Sequence, residues 1–406
     1  MEAKKTVLPP LPRLLSLDAF RGLTIAMMIL VNNPGTWHNV YGPLLHADWD
    51  GITPTDLVYP FFLFIIGVSI AFAFGRRLAA GVSKWQLCKK VITRAVKIYV
   101  VGMALYLLMS WYHLYNLPEV SEQTGFSRIL AVFWYVRYLG VLHRIALVFL
   151  FCGLIFLFFP RKMQVFLCIL FLVGYHFLMM CVPTPGQDGR VMMEPGNNLA
   201  AWVDSQILPG RPYWGPWNPH PHGAEWKEPM AWDPEGILST IPAVSSGLIG
   251  VFAGLLLLGS RSQERKVIIL FFSGMLLAIA GYFWGQTFPV NKSLWTSSYT
   301  LITSGFACMG LGACLYFVDI LGHKRLLHFA VILGCNAITI YCLSDILSWF
   351  FYGGSWGLNM QFINWLTAQS SCFTKEFASM CYGLLFVAVN FIPAYILYKC
   401  KIFIRL

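Results

Sequence analysis

The stretch Leu57-Val-Tyr-Pro-Phe-Phe-Leu-Phe-Ile-Ile-Gly67 opens a long apolar run, and it directly follows the polar segment His46-Ala-Asp-Trp-Asp-Gly-Ile-Thr-Pro-Thr-Asp56. An apolar run of about 20 residues is long enough to cross a bilayer as a helix. A histidine near three carboxylates, at the edge of a low-dielectric medium, combines a base with acids that can orient it. The alternative is that His46 is an ordinary surface residue and that Asp48 and Asp50 cap the next helix.

The whole chain has the composition of a membrane protein. Of its 406 residues, 57% are hydrophobic and only 12% are charged, which is unlike a soluble domain. We therefore predict an all-α, polytopic integral membrane protein in which residues 1–406 form a single domain. Apolar runs predict about ten spanning helices, at roughly 15–35, 56–75, 95–112, 141–160, 164–182, 237–259, 266–286, 297–320, 326–350 and 378–398.

Basic residues between the predicted helices favour one orientation. Lysine and arginine are concentrated in alternate loops, and the remaining loops are poor in them. Because cytoplasmic loops carry such an excess, both termini are predicted to be cytoplasmic. The same bias accounts for the formal charge of +11, so no nucleic-acid partner is implied. The first apolar run lacks a small-residue cleavage site, which favours an uncleaved span over a signal peptide.

This orientation places two long loops on the outer side, which would be the periplasm for a bacterial inner membrane. Residues 36–55 are expected to be the catalytic loop. Residues 183–236 form a longer loop whose aromatic rings suit stacking on sugars, although an interfacial aromatic belt explains them equally well. Its tryptophans are Trp202, Trp214, Trp217, Trp226 and Trp232. The apolar segment 129–138 is too short to span and is expected to be interfacial or re-entrant.

A set of motifs spread over most of the chain carries a family resemblance. Besides the His46 segment, they are Leu15-Ser-Leu-Asp-Ala-Phe-Arg-Gly22, Val31-Asn32, Gly140-Val-Leu-His-Arg144, Asp233-Pro-Glu-Gly-Ile-Leu-Ser-Thr240 and Pro289-Val-Asn-Lys-Ser-Leu-Trp295. Together they resemble the heparan-α-glucosaminide N-acetyltransferase family, membrane enzymes that pass an acetyl group from acetyl-CoA to an amino sugar across the bilayer. The resemblance implies an acetyl-CoA-dependent N-acetyltransferase with a glucosamine-type acceptor.

The resemblance also implies roles for two residues. His46 would have the central role, either as the base toward the sugar amine or as the carrier of the acetyl group. Asn32 matches a family asparagine near the acetyl group, where an amide can donate to an oxyanion. The alternative for Asn32 is a helix cap, because Asn33-Pro34-Gly35 is typical of a helix end. Lysosomal members carry an additional N-terminal luminal domain and span, whereas this chain starts directly at the shared core. The resemblance therefore does not imply heparan as the acceptor, and it leaves a smaller amino sugar or a cell-wall fragment open.

Substrate-binding candidates lie on the predicted outer side. They are Asp48, Asp50, Asp56, Asp233, Glu235, Asn291 and Lys292. Asp233 and Glu235 alternate with Pro234 and Gly236 just before a predicted helix, so capping of its N-terminus is an equal alternative. The lysine would bind a sugar acid group or a CoA phosphate, and snorkelling at the interface is the alternative.

Candidates for binding acetyl-CoA are Arg21, Arg137, His143 and Arg144. Arg21 is three residues after Asp18, so a structural ion pair on one helix face is favoured over a role at the CoA entrance. His143 stands where the family has glutamine, which leaves it as a second titrating group or a hydrogen-bonding substitute. No zinc or nucleotide-binding motif is present, so no metal is predicted. The eleven cysteines are scattered, and the redox state of Cys181 and Cys372 is left open.

Two other functions fit parts of the pattern. A membrane O-acyltransferase of the acyltransferase-3 kind also resembles Leu17-Asp-Ala-Phe-Arg-Gly22, but it has a histidine at the outer end of that helix, where this chain has Asn32-Asn33. A sugar transporter without catalysis would explain polar residues inside spans, such as Asn336 and Asp345, for which helix-to-helix hydrogen bonds are the default interpretation. The expected partners are acetyl-CoA, an amino sugar or the terminal glucosamine of a glycan, and the lipid bilayer. A homodimer is compatible with the pattern.

Overall fold

The computed structural model describes residues 14–186, 189–218, 230–352, 357–370 and 372–404. Within these ranges the chain is mainly helical and contains one short antiparallel hairpin, β1 (Met193–Glu194) and β2 (Asn197–Asn198). The helices are α1 (Leu15–Asn32), α2 (Val58–Ala79), α3 (Lys84–Tyr115), α4 (Pro118–Ser121), α5 (Gly125–Trp134), α6 (Val141–Phe158), α7 (Arg161–Cys181), α8 (Leu199–Ile207), α9 (Ile237–Leu258), α10 (Gln263–Trp284), α11 (Ser297–Cys314), α12 (His328–Cys335), α13 (Ala337–Tyr352), α14 (Leu358–Gln369) and α15 (Lys375–Lys399).

The prediction of an all-α polytopic membrane protein is confirmed. Among the described residues, nine helical segments are long and apolar enough to cross a membrane, and the bent pair α12–α13 raises the number to ten. Helix α3 begins earlier than the predicted 95–112, because its first turns carry basic residues that form helix well but lower the local hydropathy. Helix α5 has ten residues and is too short to span.

The ninth predicted span, 326–350, is wrong as a single straight helix. The chain breaks at Asn336, and α12 and α13 meet at an angle of 84°. The Asn336 amide donates to the carbonyl of Ile402 at 3.0 Å, and its oxygen accepts from the backbone N–H of Ile404 at 2.8 Å. The side chain thus binds the backbone that follows α15, and the expected helix-to-helix hydrogen bond is wrong for this residue.

Small residues let the long helices approach closely, as is typical in membranes. A Cβ added at Gly67 of α2 would collide with the backbone of Gly247 in α9, and one at Gly22 of α1 would collide with the backbone of Ala330 in α12. At one end of the bundle the Tyr299 hydroxyl of α11 donates to the carbonyl of Asp56 just before α2, and Val31 of α1 shares an apolar cluster with Val58 of α2. We call this end of the bundle the His46 end.

The long loop 183–236 packs over the His46 end through α8 and two of its tryptophans. The backbones of Trp214 and Trp232 exchange hydrogen bonds of 3.0 Å each way. The ring of Trp232 is buried and lies edge-on to Trp49, with centroids 5.6 Å apart, whereas Trp217 is 41% exposed. Trp226 lies outside the described residues. Cys181 and Cys372 are both free and exposed.

Candidate active site

His46 in the loop 36–55 and Asp56 directly after this loop form a close polar pair. His46 Nδ1 lies 2.6 Å from Asp56 Oδ1. A separation this short requires a proton between the two atoms, so Nδ1 donates to the ionised carboxylate. The other ring nitrogen, Nε2, then keeps a lone pair that can take a proton or attack a carbonyl carbon. The His46 side chain is 42% exposed, which leaves that nitrogen accessible.

Asp56 is held rigidly by the turn that starts α2. Thr53 and Asp56 form a capping box at the 3-10 turn Pro54–Leu57, so Thr53, and neither Asp48 nor Asp50, caps this element. Asp56 Oδ2 accepts from the N–H and the hydroxyl of Thr53, each at 3.0 Å, and from the N–H of Ala47 at 3.1 Å. The carboxylate is 1% exposed, and these donors suit its ionised form.

Lys292 completes a triangle with His46 and Asp56. Its Nζ lies 2.9 Å from Nδ1 and 3.2 Å from Nε2 of His46, and 3.4 Å from Asp56 Oδ1. Since Nδ1 already donates to Asp56, the ammonium can donate only to Nε2 and to the carboxylate. A lysine that precedes α11 therefore reaches the reactive nitrogen of a histidine that precedes α2.

The charges in this triangle favour a neutral imidazole. Burial lowers the pKa of His46 below its ordinary value of 6.5, the Lys292 charge lowers it further, and the bond to Asp56 only partly opposes them. Burial also lowers the pKa of Lys292, although Asp56 and Glu235 oppose this shift. At pH 7 the ring is therefore in the form that a base or a nucleophile requires.

Asn291 ties the loop before α2 to the loop before α11. Its amide donates to the carbonyl of Trp49 at 3.0 Å and to Asp50 Oδ1 at 3.1 Å, and its oxygen accepts from the N–H of Leu294 at 2.8 Å. The N–H of Gly51 donates to the carbonyl of Val290 at 2.7 Å. Asn291 is fully buried. Both ends of its amide are hydrogen-bonded within the protein, so it positions Lys292 and Asp50 instead of facing a substrate. Asp48 and Asp50 themselves are exposed.

Arg137, Asp233 and Glu235 form a second charged cluster, which we call the arginine clamp. Arg137 Nε and Nη2 donate to the two oxygens of Asp233, each at 2.7 Å, and Nη2 also donates to Glu235 at 2.6 Å. Burial alone would lower the pKa of Arg137, but the two carboxylates raise it above its ordinary value. Asp233 and Glu235 lie in the turn before α9, but neither side chain caps this helix, whose N-cap residue is Gly236. Both acids instead bind the guanidinium that was assigned to acetyl-CoA.

Arg144 has spare hydrogen-bonding capacity. Its guanidinium is fully buried, and Nη2 donates to the hydroxyl of Ser239 and to the carbonyl of Gly236, the latter at 3.3 Å. Nε and Nη1 have no partner among the described residues. Buried donors are rarely left unpaired, and two of them on one cation fit a carbonyl or phosphate oxygen of acetyl-CoA.

Trp295, whose ring packs against the Arg144 guanidinium, has a strained backbone. The guanidinium carbon lies 5.1 Å from the ring centroid of Trp295. Trp295 is buried and has a φ of 51°, in the left-handed region, which costs a non-glycine residue about 1–3 kcal/mol. Its N–H donates to the carbonyl of Lys292 at 3.0 Å. The strained residue is thus part of the turn that places Lys292.

The other two cofactor candidates are placed differently. His143 is buried, its Nε2 has no partner in the described part of the chain, and its ring packs edge-on to Tyr99 at 4.5 Å. Arg21 lies toward the opposite end of the bundle, where Nη1 binds Asp18 at 3.0 Å and Nη2 binds Ser69 at 3.0 Å. The expected ion pair of Arg21 is present, and it links α1 to α2.

Asn32 and Asn33 at the end of α1 have different environments. Asn33 is the cap residue, and its amide donates to the carbonyl of Ile29 at 2.9 Å. Asn32 is the last helical residue, is exposed, and makes no side-chain hydrogen bond to other described residues. The capping alternative therefore applies to Asn33, and the Asn32 amide is free to donate to a ligand.

Asp204 of α8 is a site residue that sequence reasoning missed. Its carboxylate accepts from the N–H of Asp233 at 3.2 Å and of Ile237 at 2.9 Å, so it fixes the turn that carries the clamp acids. Burial raises its pKa to about 7. The one available signal was that Asp204 is the only charged residue of α8.

Comparison with known proteins agrees with this geometry. Residues 13–203 match the family model of the heparan-alpha-glucosaminide N-acetyltransferase catalytic domain. Proteins named heparan-alpha-glucosaminide N-acetyltransferase from Homo sapiens and Mus musculus are each 26% identical, over 97% and 96% of this chain. The alignments cover 60% of each relative, so the chain spans well under their full length. Taken with the motifs that meet at the His46 end, these matches show that the chain is similar to heparan-alpha-glucosaminide N-acetyltransferases over nearly its whole length.

Proposed function

We propose that this protein transfers an acetyl group from cytoplasmic acetyl-CoA to the free amine of a glucosamine-type sugar on the other side of the membrane. The observation that carries the proposal is the accessible, neutral His46 ring, oriented by Asp56 and next to Lys292. Similarity to the heparan-alpha-glucosaminide N-acetyltransferases supports the reaction class. These relatives are named for an amino-sugar acceptor, and we propose an acceptor of the same class for this chain.

His46 has two workable roles in amide formation. As a base, Nε2 takes the proton that the sugar amine must lose when it attacks the thioester carbon. As a nucleophile, Nε2 attacks that carbon first and carries the acetyl group to the amine. In both roles Asp56 fixes the tautomer through Nδ1 and stabilises the positive charge that the ring acquires.

Donors for the acyl oxygen come from two elements. The unbonded Asn32 amide, at the end of α1, suits a developing oxyanion, since a neutral amide is less costly to bury than a charge. The spare donors of Arg144 suit a carbonyl or phosphate oxygen of acetyl-CoA. The exposed carboxylates Asp48 and Asp50 would attract the ammonium of the sugar before it is deprotonated.

The proposal places His46 on the periplasmic side of a bacterial inner membrane and both chain termini in the cytoplasm. The basic loops at the end opposite His46 support this orientation. We predict that cysteines introduced at Gly42 and at Ala80, both exposed, react with a membrane-impermeant thiol reagent from opposite sides. Labelling from the same side would rule out transfer across the membrane.

The reaction itself is tested with purified protein, labelled acetyl-CoA and a panel of amino sugars, with the matching neutral sugars as controls. We expect acetylated product only from sugars with a free amine, and loss of product in His46→Ala. His38→Ala is the matched control, because His38 lies in the same loop and is exposed. An alkali-labile ester product would identify an O-acyltransferase, and failure to bind CoA would favour a transporter.

A further inference from the structure

We infer that Lys292 is itself an acetyl acceptor, so that the protein acetylates its own active site when no amino sugar is present. This inference rests on the proposed transfer of acetyl groups at His46. Lys292 Nζ lies 3.2 Å from His46 Nε2, so the lysine amine is adjacent to the nitrogen beside which the proposed reaction brings the acetyl group. Lys292 is therefore the first amine that an acetyl group at this position meets.

The resemblance between Lys292 and the proposed substrate is chemical. Both are primary amines presented to the exposed side of the same imidazole. The Lys292 side chain is 26% exposed, so its terminal bonds can rotate toward the acyl carbon. Lys292 thus occupies the place that an incoming sugar amine must take, and the sugar must displace it to react.

The transfer balances without any further reactant. The neutral Lys292 amine attacks the acetyl carbonyl carbon and forms a C–N bond, while the bond from that carbon to the CoA sulfur, or to His46 Nε2, breaks. The electron pair leaves with the sulfur or the imidazole, and the proton released by the amine goes to the same atom. The net products are an ε-acetyl-lysine and free CoA thiol.

The charges around Lys292 set the rate of this side reaction. An ammonium cannot attack, and Asp56 at 3.4 Å together with Glu235 stabilises that protonated form. The neighbouring His46 ring is neutral and adds no repulsion. Burial acts in the opposite direction and lowers the pKa of Lys292, so a fraction of the amine is neutral nearer to physiological pH. Self-acetylation should therefore accelerate as pH rises.

Acetylation at this position would inactivate the site. It removes the only cation of the triangle among the described residues and adds an acyl group beside Nε2. The reaction is irreversible on the time scale of turnover, because an amide has no good leaving group. A scarce acceptor would thus lead to progressive loss of activity, and an abundant acceptor would protect the enzyme by consuming the acetyl group first.

The test uses the full-length protein in detergent, isotopically labelled acetyl-CoA and peptide mass spectrometry, without and with glucosamine. We expect hydroxylamine-stable label on Lys292 that accumulates at least ten-fold faster than on Lys375, grows faster at pH 8.5 than at pH 6.5, and falls when glucosamine is added. Lys375 is the matched control because it starts α15 at the same end of the bundle. Lys292→Arg should carry no label at this position.

Each outcome separates the two claims. A preparation that acetylates glucosamine yet leaves Lys292 unlabelled overturns the inference alone, and so does equal labelling of Lys292 and Lys375. Label on Lys292 without acetylation of any sugar supports the inference and overturns the proposed acceptor. The absence of both label and sugar product overturns the proposed function together with the inference.

Discussion

The His46 triangle and the arginine clamp are both charged clusters at the same end of the bundle, but they differ in how their polar groups are paired and exposed. In the clamp, Arg137 meets two carboxylates, and all three side chains are at most 16% exposed. In the triangle, Asp56 binds one nitrogen of His46 and the Lys292 ammonium contacts the other, in a side chain that is 42% exposed. A buried cluster of mutually paired charges can only hold structure, whereas the Nε2 lone pair of a half-exposed ring can accept a proton or a carbon once Lys292 moves away.

The same contrast separates neighbouring residues of one type. Asn33 uses its amide to cap α1, and Asn32 beside it keeps its amide unbonded. Arg137 donates through Nε and Nη2 to two carboxylates, and Arg144 retains two buried donors without partners in the described structure. Residue type alone therefore does not separate a candidate ligand-binding side chain from a structural one. The number of hydrogen bonds that the side chain already makes within the protein is the better guide.

The largest effect should come from removing the accessible nitrogen. We expect His46→Ala to lower turnover by about 10³-fold or more, since the variant has neither base nor nucleophile. His46→Gln should be no better, because an amide cannot take the proton. Acetyl transfer and CoA binding are measured in parallel, with His38→Ala as control. Near-normal turnover in His46→Ala would make this histidine an ordinary loop residue.

The clamp should respond in stability. Arg137→Met leaves Asp233 and Glu235 buried without their cation, which is expected to cost about 3–5 kcal/mol. The measurement is thermal unfolding in detergent. Arg211→Met is the matched control, because the Arg211–Glu119 pair has a 50% exposed carboxylate and should contribute about 0–1 kcal/mol. Equal melting temperatures for the two variants would contradict the structural role of the clamp.

Asn32 and Asn33 provide a smaller and sharper test. Asn32→Ala should lower turnover by about 10²-fold with folding and CoA binding nearly intact, as expected for loss of one oxyanion donor. Asn33→Ala should keep turnover and lose about 1 kcal/mol of stability with its capping bond. If Asn32→Ala instead lost both stability and CoA binding, its amide would be structural.

The smallest expected effect is a shift in pH dependence. The Lys292 cation lowers the pKa of His46, so Lys292→Met should raise it. Activity that requires neutral His46 is lost as pH falls through that pKa, and the acid limb of kcat/KM should therefore move to higher pH. Lys375→Met should leave the limb in place, and the same acceptor is used throughout so that its own titration cancels. An unmoved limb in Lys292→Met would mean that His46 does not sense this lysine.

The sequence predicted the site where its parts are local. His46 and Asp56 are ten residues apart in one loop, and the Thr53-Pro-Thr-Asp56 pattern is a capping signal that selects Asp56 from the three candidate acids. Because Lys292 directly precedes an apolar run, the sequence correctly predicted that it lies at the same end of the bundle as His46. Its contact with His46 was not predictable, because the packing of two loops depends on helix crossings that hydropathy does not encode.

Two features of the fold were missed for related reasons. The break at Asn336 lies within an apolar run. A hydropathy profile shows how apolar a segment is, but it does not show whether the helix bends. The cause of the break is a hydrogen bond to a backbone that lies 66 residues later. Asp204 was overlooked because a single acid in a loop helix has no recognisable partner until the turn at residues 233–237 is folded onto it.

The tie between Asp50 and Asn291 has a consequence for biosynthesis. The two residues are 241 positions apart, and a ribosome that adds roughly 5–20 residues per second needs about 12–50 s to synthesise the intervening chain. Helices α1 and α2 can enter the membrane early in this interval, and His46 emerges with them. Lys292 arrives only with α11. The nascent protein therefore carries His46 into the membrane long before Lys292 can meet it, and the complete triangle forms only late in translation.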